Sequence, residues 1–295
     1  MSTLKRQEPV GLGLRRIACE HIEAGVRALT RQVESDSRGP GESIRRASAV
    51  LALIQPALPR ETARRAQGLF DQVAEALASI DRPAVLLGRL DTRFKKPPSD
   101  AALAGAVKAL RKAWSSKTGG GRALNSRGGS FDPAVYRLVA DMAELRGHAG
   151  EWPVDPIDDD APPPGLRRAY ARARRLAGDP IDRDPLPELA DALTQLRDQL
   201  AALSKACPPM LKAQRKLIDR VTPALIEQHA DAELDRALRE RLDLPADSAL
   251  PGGLATPERV DRWPIGDLRA ALAETPQAFY NRVGAYWSAW RASGD

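Results

Sequence analysis

The chain has 295 residues and a mass of 32.0 kDa, enough for one large domain or two of middle size. Hydrophobic residues make up 43% and aromatics only 4%, which excludes a disordered chain and disfavours a β-rich one. The net charge of +6 is unevenly placed: residues 1–130 carry +11, 131–165 carry −6 and 166–295 carry +1.

A pI near 9.5 permits polyphosphate, nucleic acid or an anionic surface as partner without choosing among them. From Met1 to Gly13 the chain is polar and has no apolar core of a signal peptide, and no apolar run reaches the ~20 residues of a membrane span. A cytoplasmic location is expected. Cys19 and Cys207 are too few for a disulfide scaffold and sit in no metal-binding spacing, so both read as small buried apolar residues.

Helical periodicity recurs along the chain. Ile22, Val26, Leu29 and Val33 step by four, three and four, and Phe70, Val73, Leu77 and Ile80 do likewise. Lys96 to Asp100 brings two prolines that stop a helix, and Ser115 to Ser130, rich in glycine and serine, reads as a flexible loop. Trp152 to Gly165 holds Asp158-Asp159-Asp160 and several prolines and reads as a solvated connector. In the second half, Leu189, Leu193, Leu196, Leu200 and Leu203 form another stripe. A loop is expected from Leu244 to Trp263, and Phe279, Val283, Tyr286 and Trp290 close the pattern. Such stripes pack helix on helix, and strand alternation is absent. The fold class is all-α.

The chain also repeats itself. Gly13-Leu14-Arg15-Arg16 returns as Gly165-Leu166-Arg167-Arg168, and Leu69 to Leu77 returns as Leu217 to Leu225. Pro59 and Pro208 each follow the second helix of their half. The expected organisation over residues 1–295 is a first helical repeat at 10–150, a connector at 151–164 and a second repeat at 165–293. The two form four-helix-type bundles related by an approximate twofold.

Catalytic signatures are missing. The glycines after Lys117 lack the phosphate-loop order, and His21, His148 and His229 have no partner at zinc spacing. No nucleophile elbow occurs, and no cofactor or metal is implied. Arginine clusters stand out instead: Arg15-Arg16, Arg45-Arg46, Arg64-Arg65, Arg167-Arg168, and Arg172, Arg174 and Arg175. Guanidiniums three, four or seven residues apart share a helix face and can hold phosphate oxygens, although helix-surface arginines also pair with nearby carboxylates.

The duplication and its flanks resemble the CHAD domain family (conserved histidine α-helical domain). Gly165 to Gly178 resembles the family's Gly-Leu-Arg-Arg-x-Tyr-x-Arg-x-Arg helix, and Leu186 to Leu200 stands where a His-Glu-Leu-Arg-Lys-x-x-Lys-x-Leu-Arg helix belongs. Glu274 to Arg291 resembles the closing Trp-x-x-Trp helix. Ala76 to Leu90 and Glu151-Trp152-Pro153 fill two further positions of the pattern. The resemblance implies two four-helix units around a basic channel, no catalysis, and binding of inorganic polyphosphate.

The motif slots that carry charge in the family are depleted. In the second half they read Pro187, Ala190, Asp191, Thr194 and Arg197; in the first, Arg38, Gly41, Glu42, Arg45 and Ser48. A shifted register puts Arg45-Arg46 in the Arg-Lys slots, and neither register restores a histidine. Asp71, Glu75 and Asp81 stand where arginine is usual, and Gln277 replaces a lysine of the closing helix. Apolar positions are kept: Ile44, Leu51 and Ile54 match Leu193, Leu200 and Leu203.

The expected function is therefore a non-catalytic module binding polyphosphate or another polyanion through Arg15, Arg16, Arg45, Arg46, Arg167, Arg168, Arg174, Arg197 and Arg282. The alternative is a protein-interaction module that has lost this binding. Nucleic acid is a less favoured partner, and enzyme activity the least.

Overall fold

The computed structural model describes residues 2–31, 39–122, 133–178, 186–206, 208–245, 248–251 and 265–293. Among them are ten α-helices and no β-strand. In chain order they are α1 (Val10–Arg31), α2 (Pro40–Ile54), α3 (Arg60–Arg93), α4 (Ala101–Arg122), α5 (Pro133–Gly150), α6 (Gly165–Leu176), α7 (Leu186–Ala202), α8 (Pro208–Leu242), α9 (Ile265–Ala271) and α10 (Pro276–Ala292). The second half repeats the succession of the first. Medium helices α1 and α2 lead into the long α3, and α6 and α7 lead into the long α8. Each long helix begins beside its expected proline, Pro59 or Pro208, and carries another inside, Pro83 or Pro223, which removes one backbone donor. At its far end α8 stops on Asp243, in the left-handed region at φ 54, while Leu244 N–H donates back to Arg239 O at 3.0 Å.

The residues fall into two compact units. One gathers Met1–Glu75, Ala134–Thr222 and Pro264–Asp295; the other gathers Ala76–Pro133 and Pro223–Trp263. Each unit thus draws on both halves of the sequence.

In the first unit α2 packs against α1, α6 and α7, and α6 packs against α7 and α10. The α7 stripe is buried throughout, from Leu189 to Leu203, against Ile44, Leu51 and Ile54 of the same core. On α1 the deepest residues are Val10, Leu14, Ile17 and Ile22. Val26 and Leu29 are only half-buried, and Val33 lies outside the described residues, so the stripe sits further towards the N-terminus than its spacing suggested. Tyr170 of α6 stacks on Phe279 of α10, ring centres 4.1 Å apart and 8° from parallel. On α10 the expected Tyr286 is 50% exposed, and Trp287 takes the interior position, its Nε1–H donating to Asp159 O at 3.0 Å. Phe279, Val283 and Trp290 are buried as expected, so this is the one position of the stripe that differs.

In the second unit Leu86 and Leu90 of α3, and Phe94 just past its end, meet Leu103 and Val107 of α4 and Leu234 and Leu238 of α8. Two loop expectations change here and in the connector. Residues 115–122 continue α4 as helix, through Gly119–Gly121, because the alanine- and lysine-rich run before them carries the helix past three weak formers. The remaining residues, 123–130, lie outside the described set. The acidic triplet is not a merely solvated linker: Asp159 Oδ1 accepts from Val10 N–H at 2.5 Å, which caps α1, and lies 3.9 Å from Arg291.

Candidate functional site

Nine arginines are expected at the site, and the first unit brings three of them together. Arg45 and Arg46 sit on α2 and Arg197 on α7, 152 residues later than Arg45 in sequence. Arg45 and Arg197 converge on Asp198, whose side chain is 2% exposed, and Arg46 lies close enough to act on its charge. Arg45 Nη1 is bonded to Asp198 Oδ2, and Arg197 donates to Oδ1 from Nε at 3.3 Å and Nη2 at 3.2 Å. Arg46 bonds Glu42 one turn back, and its Nε and Nη1 are buried without a hydrogen-bond partner. Arg197 also lies 3.8 Å from Asp219 of α8, which Arg215 approaches at 3.4 Å. Behind the cluster, Gln199 Nε2–H donates to Ala49 O, tying α7 to α2.

Burial governs the charges of this group. Desolvation pushes the Asp198 carboxyl above the ordinary aspartate range, against the pull of Arg45, Arg197 and Arg46. Desolvation likewise lowers the Arg45 guanidinium, with Asp198 opposing it. Both partners shift towards neutrality, so the pair loses more hydration than its attraction returns.

The other expected arginines lie elsewhere on the unit. Arg15 donates to Trp152 O at 3.2 Å. Arg16 bonds Glu8 at 2.5 Å, Glu20 at 2.8 Å and Thr3 O at 3.1 Å, and the bond to Glu8 drives its own pKa up. Burial alone would raise Glu8, but Arg16 and Lys5 outweigh it and leave the carboxyl below its usual range. Arg282 is bonded to Glu274 and lies over Phe279. Arg167 donates to Gln277 Oε1 at 2.8 Å and lies over the Tyr280 ring, so the glutamine that replaces a family lysine is an acceptor for a family arginine.

Arg168 and Arg174, with Arg175, are exposed on α6, and no carboxylate among the described residues pairs with them. Arg174 and Arg175 also line a cleft of about 700 Å³ with Leu268 and Arg269 of α9 and Leu272 just after it.

Two of the depleted motif slots are buried outright, Ala190 and Thr194, so apolar or small side chains there close the helix face instead of presenting it. Arg38 lies outside the described residues. Sequence reasoning missed Asp198. Its only signal is its place next to Arg197, one step beyond the last motif slot.

The second unit carries a separate set of charges that no motif announced. Arg82, Arg89 and Arg93 of α3 face Glu233, Asp231 and Asp235 of α8, with Glu227 a further partner of Arg89 at 3.6 Å. Each of these cations has its anion within the unit.

Helices of both repeats present arginines, and among the described residues no group of His, Cys, Asp or Glu could hold a metal ion. The described residues define an all-helical class of protein. The profile of the CHAD domain matches residues 41–260, and the chain belongs to the CHAD domain family. The matched span begins in α2 and ends beyond α8, leaving α1, α9 and α10 outside it. No curated protein and no solved structure was found to match the chain. No helix among the described residues is long and apolar enough to cross a membrane.

Proposed function

We propose that the chain is a non-catalytic polyanion-binding module, with inorganic polyphosphate the ligand that its family implies and the cytoplasm its place of action. The observation that carries this reading is the convergence of Arg45 and Arg197 from two separate helices onto one point of the first unit, with Arg46 beside them. Arginines scattered over a surface serve solubility; arginines gathered from distant parts of a chain serve an anion. The exposed arginines of α6 add cations that no described carboxylate neutralises. A flexible polymer with one charge per phosphate can engage several such groups in succession, and each engaged phosphate releases a counterion.

Titration calorimetry with long-chain polyphosphate at about 50 and 300 mM salt tests the reading. Binding that weakens steeply with salt and is lost in Arg45→Glu/Arg197→Glu is the expected result. No heat at either salt would refute it.

A second reading is favoured by the internal pairing of the same cations. Arg16, Arg45, Arg46, Arg197 and Arg282 all hold carboxylates of the chain itself. A module whose cations are already neutralised would serve as a protein-docking scaffold, and crosslinking that recovers a discrete partner while polyphosphate fails to bind would select it.

A further inference from the structure

The functional reading above leaves unexplained why two arginines, with a third beside them, meet at a buried acid. We propose that Asp198 is the affinity-setting residue of this site, an internal counterion whose carboxylate stands where a phosphoryl group of the ligand would sit. The inference rests on the polyanion reading and concerns the regulation of that same site.

Three observations lead to it. First, Asp198 is bonded to both Arg45 and Arg197, although the residues one turn away on α7 include buried Ala201 and Ala202; an alanine at this position would bury as readily. Second, the place has donor capacity to spare. Two nitrogens of Arg46 are buried and unpartnered beside the cluster, and a carboxylate with two oxygens does not reach them. A phosphoryl group brings more acceptor oxygens, in a geometry suited to more than one guanidinium. Third, the pair is poorly solvated and poorly compensated, as the upward shift of Asp198 and the downward shift of Arg45 both show. An anion that exchanges with a contented ion pair gains little; one that replaces a desolvated single charge with several gains more.

The surrounding charges are Glu42, Arg45 and Arg46 on α2, Arg197 on α7, and Arg215 and Asp219 on α8. Four cations thus face three anions, and Asp198 is the most deeply buried of the three. Bound polyphosphate must either swing this carboxylate aside or share the arginines with it, and like charges in close array oppose each other. Wild-type affinity is accordingly held down by the chain itself.

The test is the affinity of wild type, Asp198→Asn and Glu42→Gln for long-chain polyphosphate at low salt, with thermal melts of each to verify folding. Asparagine keeps the size and one acceptor oxygen of Asp198 while removing its charge. Tightening by about 10-fold or more in Asp198→Asn, against less than about 3-fold in Glu42→Gln, is the expected result. Should Asp198→Asn fail to fold, Asp198→Ala serves in its place with the same expectation. Equal affinity of wild type and the Asp198 variant overturns the inference and leaves the polyanion reading standing. An equal gain in Glu42→Gln also overturns it, since charge count alone would then explain the effect. If neither wild type nor any variant binds, both the reading and the inference fall.

Discussion

The most exacting check on the fold is a single methyl group. Gly165 opens α6 against α2, and a Cβ placed on it would stand 1.9 Å from Ala52 O and 2.5 Å from both Leu53 Cα and Leu53 O. These are backbone atoms of a buried helix and cannot swing away. Restoring even a tight 3.0 Å contact requires α6 to recede from α2 by about 1 Å, which loosens Leu166, Ala169, Tyr170 and Ala173 together. Overpacking of this kind costs about 1–3 kcal/mol, and the backbone location places it at the upper end. The loss of unfolded-state freedom returns about 0.4–1 kcal/mol. Gly165→Ala should therefore destabilise by about 2 kcal/mol and lower the melting temperature by roughly 4–8 °C, read by far-UV circular dichroism. Two companion variants set the scale. Gly13→Ala, the same position of the first repeat, meets the side chains of Leu4 and Glu8 and should cost less, because those ends can move. Gly68→Ala, in open space on α3, should raise stability by about 0.5–1 kcal/mol through helix propensity. A Gly165→Ala protein melting within about 1 °C of wild type would refute the packing of α6 on α2 described above.

Further outcomes follow from charge and burial. Asp235→Ala should destabilise the second unit by about 3–5 kcal/mol in urea, because the Arg93 side chain is only 14% exposed and loses its carboxylate; Arg93→Met/Asp235→Leu should recover most of that loss. The pH dependence of stability should carry two opposite signs. Asp198 is raised, so its contribution is present in acid and lost as pH climbs through its folded pKa; Asp198→Asn should gain on wild type as pH rises from about 4 to 7. Glu8 is lowered, so its contribution is lost as pH falls through its depressed pKa; Glu8→Gln should lose ground to wild type as pH rises from about 3 to 5. Cys19 is buried and its thiol is pushed up by burial, so a Cys207→Ser protein should react with a thiol reagent only after denaturation. Rapid labelling of the native protein would contradict the burial of α1.

The helices and most of their faces were legible in the sequence because a buried stripe must repeat at the helical period. Leu189 to Leu203 is the plainest case, and the paired starts of α3 and α8 beside Pro59 and Pro208 are another. Faces decided by one specific partner were not legible. Tyr286 and Trp287 fit the period almost equally, and the carbonyl of Asp159 decides between them. Asp159 itself read as solvated, since a run of three aspartates gives no hint that one of them caps a helix 149 residues away. At the site, Arg45 and Arg197 were picked by motif position and both bond Asp198, Arg46 bonds Glu42 beside them, and Arg15, Arg16, Arg167 and Arg282 hold groups elsewhere on the unit. Motif spacing locates an arginine on a helix; only the packing of that helix tells which carboxylate reaches it. Asp198 escaped notice for the complementary reason, being an anion where the pattern was searched for cations.

The interleaving of the two units has a consequence for how the chain is made. Everything that builds the second unit has been synthesised once Trp263 is added, but the first still lacks α9 and α10. Translating from Pro264 to Ala292 takes roughly 1–6 s at ordinary elongation rates, long compared with the collapse of a helical core. Through that interval Tyr170 has no ring to stack on, and the carbonyls of Arg6 and Glu8 await the guanidinium of Arg291. An apolar surface is thus open on the nascent chain for seconds, and a chaperone acting on this protein would meet it there, at the face that Phe279 and Trp287 later cover.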